Sequence, residues 1–212
     1  MADPFPTYDV LAKRDTPSWN GRTRDVIDKR LALAIAENVL GDTQLATLRV
    51  IVARVCPDPP DRPATSTLAM IVRKIAEDEG DGYRPDTSPR TAECWRRGLD
   101  AIEDEARLRF TCGFARIEPD QADEILYAVE SGKMCSELWG NLSPELFWKW
   151  RLLPDLVSSH WAQPSLWSAM GFGGPASPRG YVRLTENRHD PWEATEHAPT
   201  GPSHALSQDH ER

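Results

Sequence analysis

The residues best equipped for chemistry in this chain lie in two short stretches toward its C-terminal end. Gly171, Gly173 and Ala176 have the GxGxxA spacing of a dinucleotide-binding turn. That fingerprint works only when a strand precedes it and a helix follows, so that free N–H groups at the helix start meet the pyrophosphate. Here a tryptophan-rich helical pattern precedes, and Pro175 and Pro178 stop helix growth. The segment therefore reads as a rigid extended loop whose glycines let backbone approach a neighbour closely. Glu186 and His189 have the ExxH spacing of carboxylate-bridged di-iron bundles. Those sites need two such motifs and two further glutamates on four packed helices. This copy is single and lies in a Pro-bounded loop, so it reads as a loop rather than a ligand pair.

Other candidate groups are weaker. His160 is the one histidine inside a predicted helix and reads as a satisfied structural residue. Cys56, Cys94, Cys112 and Cys135 lack the close pairing that presents two thiolates to one metal. Buried free thiols are expected, with a disulfide or an intersubunit bond as alternatives. No GxSxG, P-loop or HExxH motif occurs, so no residue of the chain is assigned a catalytic, cofactor or metal role.

The elements that would position any site are helical. Apolar residues recur at a period near 3.6 in runs separated by Pro and Gly. The pattern predicts helices over about 23–39, from the N-cap candidate Asp42 through Val55, and over about 66–79 with Gly80 as a stop. Ser88-Pro89 opens a fourth, aligning Trp95, Leu99, Ile102 and Ala106 with Glu103-Asp104-Glu105 mostly on the wet face. Pro119 opens a fifth that ends before Gly132, and Ser143-Pro144 opens a sixth, with Pro154 as a kink or break. No alternating strand pattern appears. The expected fold is all-α: an irregular domain of about six helices over 1–192, with 1–22 an extended N-terminal arm and a long Gly/Pro-rich C-terminal loop. Residues 193–212 are nearly free of apolar side chains and cannot offset their ordering entropy, so this tail is expected to be disordered or held by a partner.

Charge narrows the partners. With 25 Lys and Arg against 33 Asp and Glu, the net charge of −8 disfavours nucleic acid and anionic lipid. No apolar run reaches the roughly 18 residues that a membrane span needs. The start of the chain lacks a basic stretch followed by an apolar one, which suggests a cytoplasmic protein, or a periplasmic one if a signal-bearing partner exports it.

Five of the eight tryptophans fall between Trp139 and Trp167. Indoles combine large apolar area with a polar N–H, which suits a protein interface. Core packing is the competing role, a stronger competitor for Trp148 and Trp150 than for Trp161 and Trp167. The candidate partner interface is Trp161, Trp167, Phe172, Gly173, Gly174, Pro175, Pro178, Arg179, Tyr181 and Arg183.

Two stretches carry a family resemblance. One is Trp161-Ala162-Gln163-Pro164 with Trp167, Met170 through Pro175, and Arg179-Gly180-Tyr181; the other is Tyr8 through Lys13 with Pro17-Ser18-Trp19 and Thr23-Arg24. Across about 5–193, the chain resembles the gluconate 2-dehydrogenase subunit 3 family. The resemblance implies a non-catalytic helical partner that stabilises a large flavoprotein of the glucose–methanol–choline type. That partner would hold FAD, oxidise a sugar, aldonate or glycoside, and pass electrons to a cytochrome c subunit or similar acceptor. Members often carry a twin-arginine export signal, which is not recognised here. A transient assembly chaperone and a free-standing helical enzyme are the alternative readings.

Overall fold

The computed structural model describes residues 3–78, 80, 82, 84–86, 88–181 and 190–195. Among these the fold is all-α, without a sheet. The helices are α1 (Gly21–Leu31), α2 (Asp42–Val55), α3 (Thr67–Glu77), α4 (Thr91–Phe110), α5 (Pro119–Ser131), α6 (Pro144–Phe147), α7 (Leu153–His160) and α8 (Pro164–Ala169). A π-helical turn, Trp148–Leu152, joins α6 to α7. With these two counted as one continuous helix there are seven among the described residues, the unexpected one being α8.

Local chemistry sets most of the helix ends. Pro119 occupies the first turn of α5, where its missing N–H costs nothing, and Gly132 closes the helix at φ +70°. The Ser143 side chain accepts from Leu146 N at 3.3 Å and caps α6. Other ends depart from the expected positions. Gly41, not Asp42, is the N-cap of α2, and its N–H donates to Gln44 Oε1 at 3.1 Å. The stop of α3 is Asp78, left-handed at φ +50°, rather than Gly80. The N-cap of α4 is Arg90, two residues past Ser88. Helix α1 ends at Leu31, eight residues early: Ile35 and Val39 still pack on the core, but from irregular backbone that includes Asn38 at φ +58°. Pro154 does not break its helix. The π turn just before it widens the backbone where the proline ring would otherwise strike the preceding turn.

Helix α4 is the axis, with α2, α3, α5 and the α6–α7 segment packed around it. Trp95, Leu99 and Ile102 on α4 are fully buried against Ile51, Ile71 and Phe147. Trp95 and Phe147 meet edge to face with centroids 5.6 Å apart, and Gly98 makes room for the Phe147 ring.

Because α4 is enclosed on most sides, its acidic run is not on the wet face. Glu105 is fully buried and accepts from Cys135 N and Ser136 N, both at 2.8 Å, and from Arg109 Nε at 2.6 Å. Glu103 accepts from Phe114 N at 2.8 Å and Arg107 Nη2 at 2.9 Å. The carboxylates thus serve the orphan N–H groups of the flanking turns. A third buried carboxylate, Asp155 on α7, takes Lys74 Nζ at 2.6 Å and Trp95 Nε1 at 2.8 Å, with Arg151 3.4 Å away.

Candidate partner-binding face

A second, smaller core lies to one side of the helical body. Tyr8, Val10, Trp19, Ile27 and Trp167 form it, with Phe5, Leu11 and Ala194 packed on its edge. It joins the N-terminal arm, α1, α8 and the glycine loop that follows. Periodicity could not reveal this layer, because its members are far apart in sequence and the arm has only one short 3-10 turn, Val10–Lys13.

The arm is anchored at both ends. Arg62 donates to Asp3 Oδ2 and Tyr8 O, each at 2.7 Å, and to Phe5 O at 2.5 Å. Val10 N donates to Ser168 Oγ at 3.0 Å, which ties the arm to α8. Trp19 Nε1 donates to Pro175 O at 2.8 Å, and Asn20 N to Ser177 O at 3.0 Å, which ties it to the loop. Lys13 is buried with its ammonium 5.3 Å from the Tyr181 ring and 5.8 Å from the Trp19 indole. Burial draws its pKa down, while Glu193 and Asp190 oppose that shift. Burial likewise pushes the Tyr8 hydroxyl up to about 12, with Tyr181, Glu193 and Asp9 adding to it.

Glycines give the loop its shape. Gly171 and Gly174 are left-handed, at φ +67° and +63°, and any Cβ there would press on Phe5 and Trp167 respectively. Gly173 packs against the Tyr181 ring, whose hydroxyl donates to Gly174 O at 2.5 Å. Pro178 follows a cis peptide bond. Among the described residues no strand precedes this loop, and its glycines are placed where Phe5, Tyr181 and Trp167 pack closely on the backbone.

The face places the expected interface residues unequally. Trp161, Phe172 and Tyr181 are nearly half exposed, as is Met170 between them. Phe172 stands edge-on to Trp167 with centroids 6.0 Å apart. Trp167 itself is a core residue, only 6% exposed, and its Nε1 donates to Trp161 O at 2.7 Å. Gly173, Gly174 and Pro175 act mainly inward. Arg179 pairs with Asp190 and lies 5.5 Å from the Trp192 ring, so it fastens residues 190–195 back onto the loop. Trp192 Nε1 in turn donates to Ser18 Oγ at 3.1 Å. Arg183, like Glu186 and His189, lies outside the described residues.

Two clefts flank α1 and share Val26 and Arg30. One, of about 470 Å³, runs between α1 and the loop past Phe172 and Trp167. The other, of about 440 Å³, runs between α1 and the α3–α7 pair past Lys29, Arg73 and Lys74. Val26 is 43% exposed at their common edge. Arg30 donates to Ala162 O at 3.3 Å and joins α1 to the Trp161 corner.

Of the remaining candidate groups, His160 and two of the four cysteines are packed in the interior. His160 is buried and shares a hydrogen bond of 3.0 Å between Nδ1 and Thr67 Oγ1. Burial lowers its pKa, against weaker opposing effects of Asp58 and the Pro57 backbone. The cysteines divide: Cys56 and Cys94 are buried, with thiol pKa values pushed by burial to about 11, but Cys112 is only part-buried and Cys135 is exposed. Among the described residues no group of three or more His, Cys, Asp and Glu is placed to hold a metal ion. No helix there is long and apolar enough to cross a membrane.

These features define an all-α protein that presents aromatic side chains on a glycine-shaped loop. The chain belongs to the gluconate 2-dehydrogenase subunit 3 family, whose model matches residues 42–174. The match takes in α2 through α8 and the start of the loop, and leaves the N-terminal stretch and Arg179-Gly180-Tyr181 outside it. Comparison with curated proteins and with solved structures gives no match.

Proposed function

We propose that this chain is the non-catalytic small subunit of a flavin-dependent dehydrogenase complex. It binds and stabilises a large catalytic subunit of the glucose–methanol–choline type. FAD and the substrate pocket for a sugar, aldonate or glycoside belong to that partner, and a cytochrome c or similar subunit accepts the electrons. Membership of a family named for a subunit of gluconate 2-dehydrogenase carries this reading. The exposed Phe172 and Tyr181 on the anchored loop, with Trp161 at the end of α7 beside it, support it, because pre-ordered aromatics lose little entropy when a partner covers them.

Affinity purification of the chain from its native host, followed by size exclusion and an absorption scan, tests the proposal. A stoichiometric large protein with a flavin spectrum is the expected result. A colourless monomer under conditions where the host's dehydrogenase is active would refute it.

A further inference from the structure

The clefts on either side of α1 carry a charge opposite to that of the chain. Among the described residues their walls hold Arg22, Lys29, Arg30, Arg73 and Lys74 against the single carboxylate Glu77, in a protein of net charge −8. Glu77 accepts from Arg73 at 2.8 Å, and Lys74 is taken by the buried Asp155. The positive surplus therefore sits on α1 itself, at Arg22, Lys29 and Arg30. Asp28 of that helix is engaged by Arg14 on its other side, and Asp25 is exposed between Arg22 and Lys29. Between these cations lies an apolar seat of Val26 and Phe172, 43% and 48% exposed.

We infer that α1 and the two clefts beside it receive an acidic segment of the flavoprotein subunit, one that sets an apolar side chain on Val26 and Phe172 and carboxylates beside Arg22, Lys29 and Arg30. The inference rests on the proposed function and adds the docking face and the partner's chemistry. A patch of this kind steers a negatively charged partner toward a chain that otherwise repels it, and cations at the rim act mainly on the association rate. A nucleic acid or an anionic membrane fits less well, since both extend well beyond the patch and meet the repulsion of the whole molecule.

The test uses the flavoprotein that purifies with the wild-type chain, separated and rebound by surface plasmon resonance at several salt concentrations. The double variant Arg22→Glu/Lys29→Glu changes exposed side chains only. It should bind at least about tenfold more weakly, chiefly through slower association, with a flatter salt dependence. Asp25→Lys on the same helix should bind at least as tightly as wild type, with a steeper salt dependence. Unchanged affinity and salt slope in the double variant would overturn the inference and leave the subunit proposal standing. Equal weakening by Asp25→Lys would also overturn it, since damage to α1 rather than charge would be the cause. If no flavoprotein accompanies the wild-type chain, both fall. Binding of a labelled DNA duplex or of anionic vesicles that the double variant loses would replace the partner chemistry named here.

Discussion

Gly174 offers a sharp test of how the loop is built. Its backbone is left-handed, and a Cβ would lie 2.9 Å from Trp167 Cε3, 3.2 Å from Trp167 Cζ3 and 3.3 Å from Val10 Cγ2. Neither neighbour can retreat. Val10 is fully buried, and Trp167 is fixed by its 2.7 Å bond to Trp161 O. Gly174→Ala therefore carries two costs: about 1 kcal/mol for an L residue in the left-handed region, and roughly 1–3 kcal/mol for overpacking. Gly180 is the control, because it is also left-handed, at φ +73°, but nothing lies within 4 Å of its Cβ position. Gly180→Ala should lose only the backbone part, about 1 kcal/mol. Equilibrium urea unfolding followed by tryptophan fluorescence measures both variants, and their difference isolates the contact with Trp167 and Val10. Equal losses in the two variants would refute the packing argument, and a wild-type midpoint for Gly174→Ala would refute the backbone argument as well.

Phe172→Ala should leave the melting temperature of the isolated chain nearly unchanged but weaken the flavoprotein complex by about 2 kcal/mol, as for an exposed aromatic anchor. Trp167→Ala should cost the fold itself about 3–5 kcal/mol, and comparable melting curves for the two variants would show that their roles have been misassigned. Asp155→Ala removes the buried acceptor that Lys74, Arg151 and Trp95 Nε1 share, so urea unfolding should show a loss of about 3–5 kcal/mol; a loss no larger than a surface substitution gives would contradict that network. For His160 the folded state lowers the pKa, so below the unfolded value of about 6.5 the unfolded chain takes up a proton that the folded chain resists. Stability should thus be complete above that pH and fall as pH drops toward the folded value, and His160→Gln should flatten this part of the urea-midpoint profile; an unchanged slope would assign it to other groups.

Helices α2, α3 and α5 were legible because each buries one stripe against α4, and a single stripe leaves a 3.6 period in the sequence. Pro119, Gly132 and Ser143 marked their ends for the same local reason: each acts on backbone groups within a turn of itself. The failures have equally specific causes. Ile35 and Val39 continue the α1 pattern and do reach the core, but burial does not require helix, and the chain leaves it after Leu31. The wet face expected for Glu103 and Glu105 assumed that acidic side chains seek water, whereas buried N–H groups of Phe114, Cys135 and Ser136 attract them inward. At the candidate face, sequence reasoning found the exposed Trp161, Phe172 and Tyr181 but could not separate them from Trp167. It missed Val26, Lys29 and Arg30 altogether, because what brings α1 beside the loop is the bonding of Trp19 to Pro175 and of Asn20 to Ser177 across more than 150 residues of chain.

That long-range closure also bears on how the face can act. Trp161, Met170 and Phe172 lie inside the region shared with the family, while α1, the arm and Tyr181 lie outside it. The loop is nevertheless held from outside that region: Val10 fixes Ser168, Trp19 fixes Pro175 and Tyr181 fixes Gly174. Helix α8 has only six residues, too few to persist in water without tertiary support. Losing the arm would therefore release α8 and the loop together, exposing Trp167 and Ile27 and scattering the aromatic rim, even though no rim residue had changed. The arm thus orders the shared aromatic surface, while the cations of α1 beside it supply charge that the shared region does not. The aromatic rim and the cations of this face come from different stretches of the chain, the rim held by the arm and the loop and the cations carried on α1.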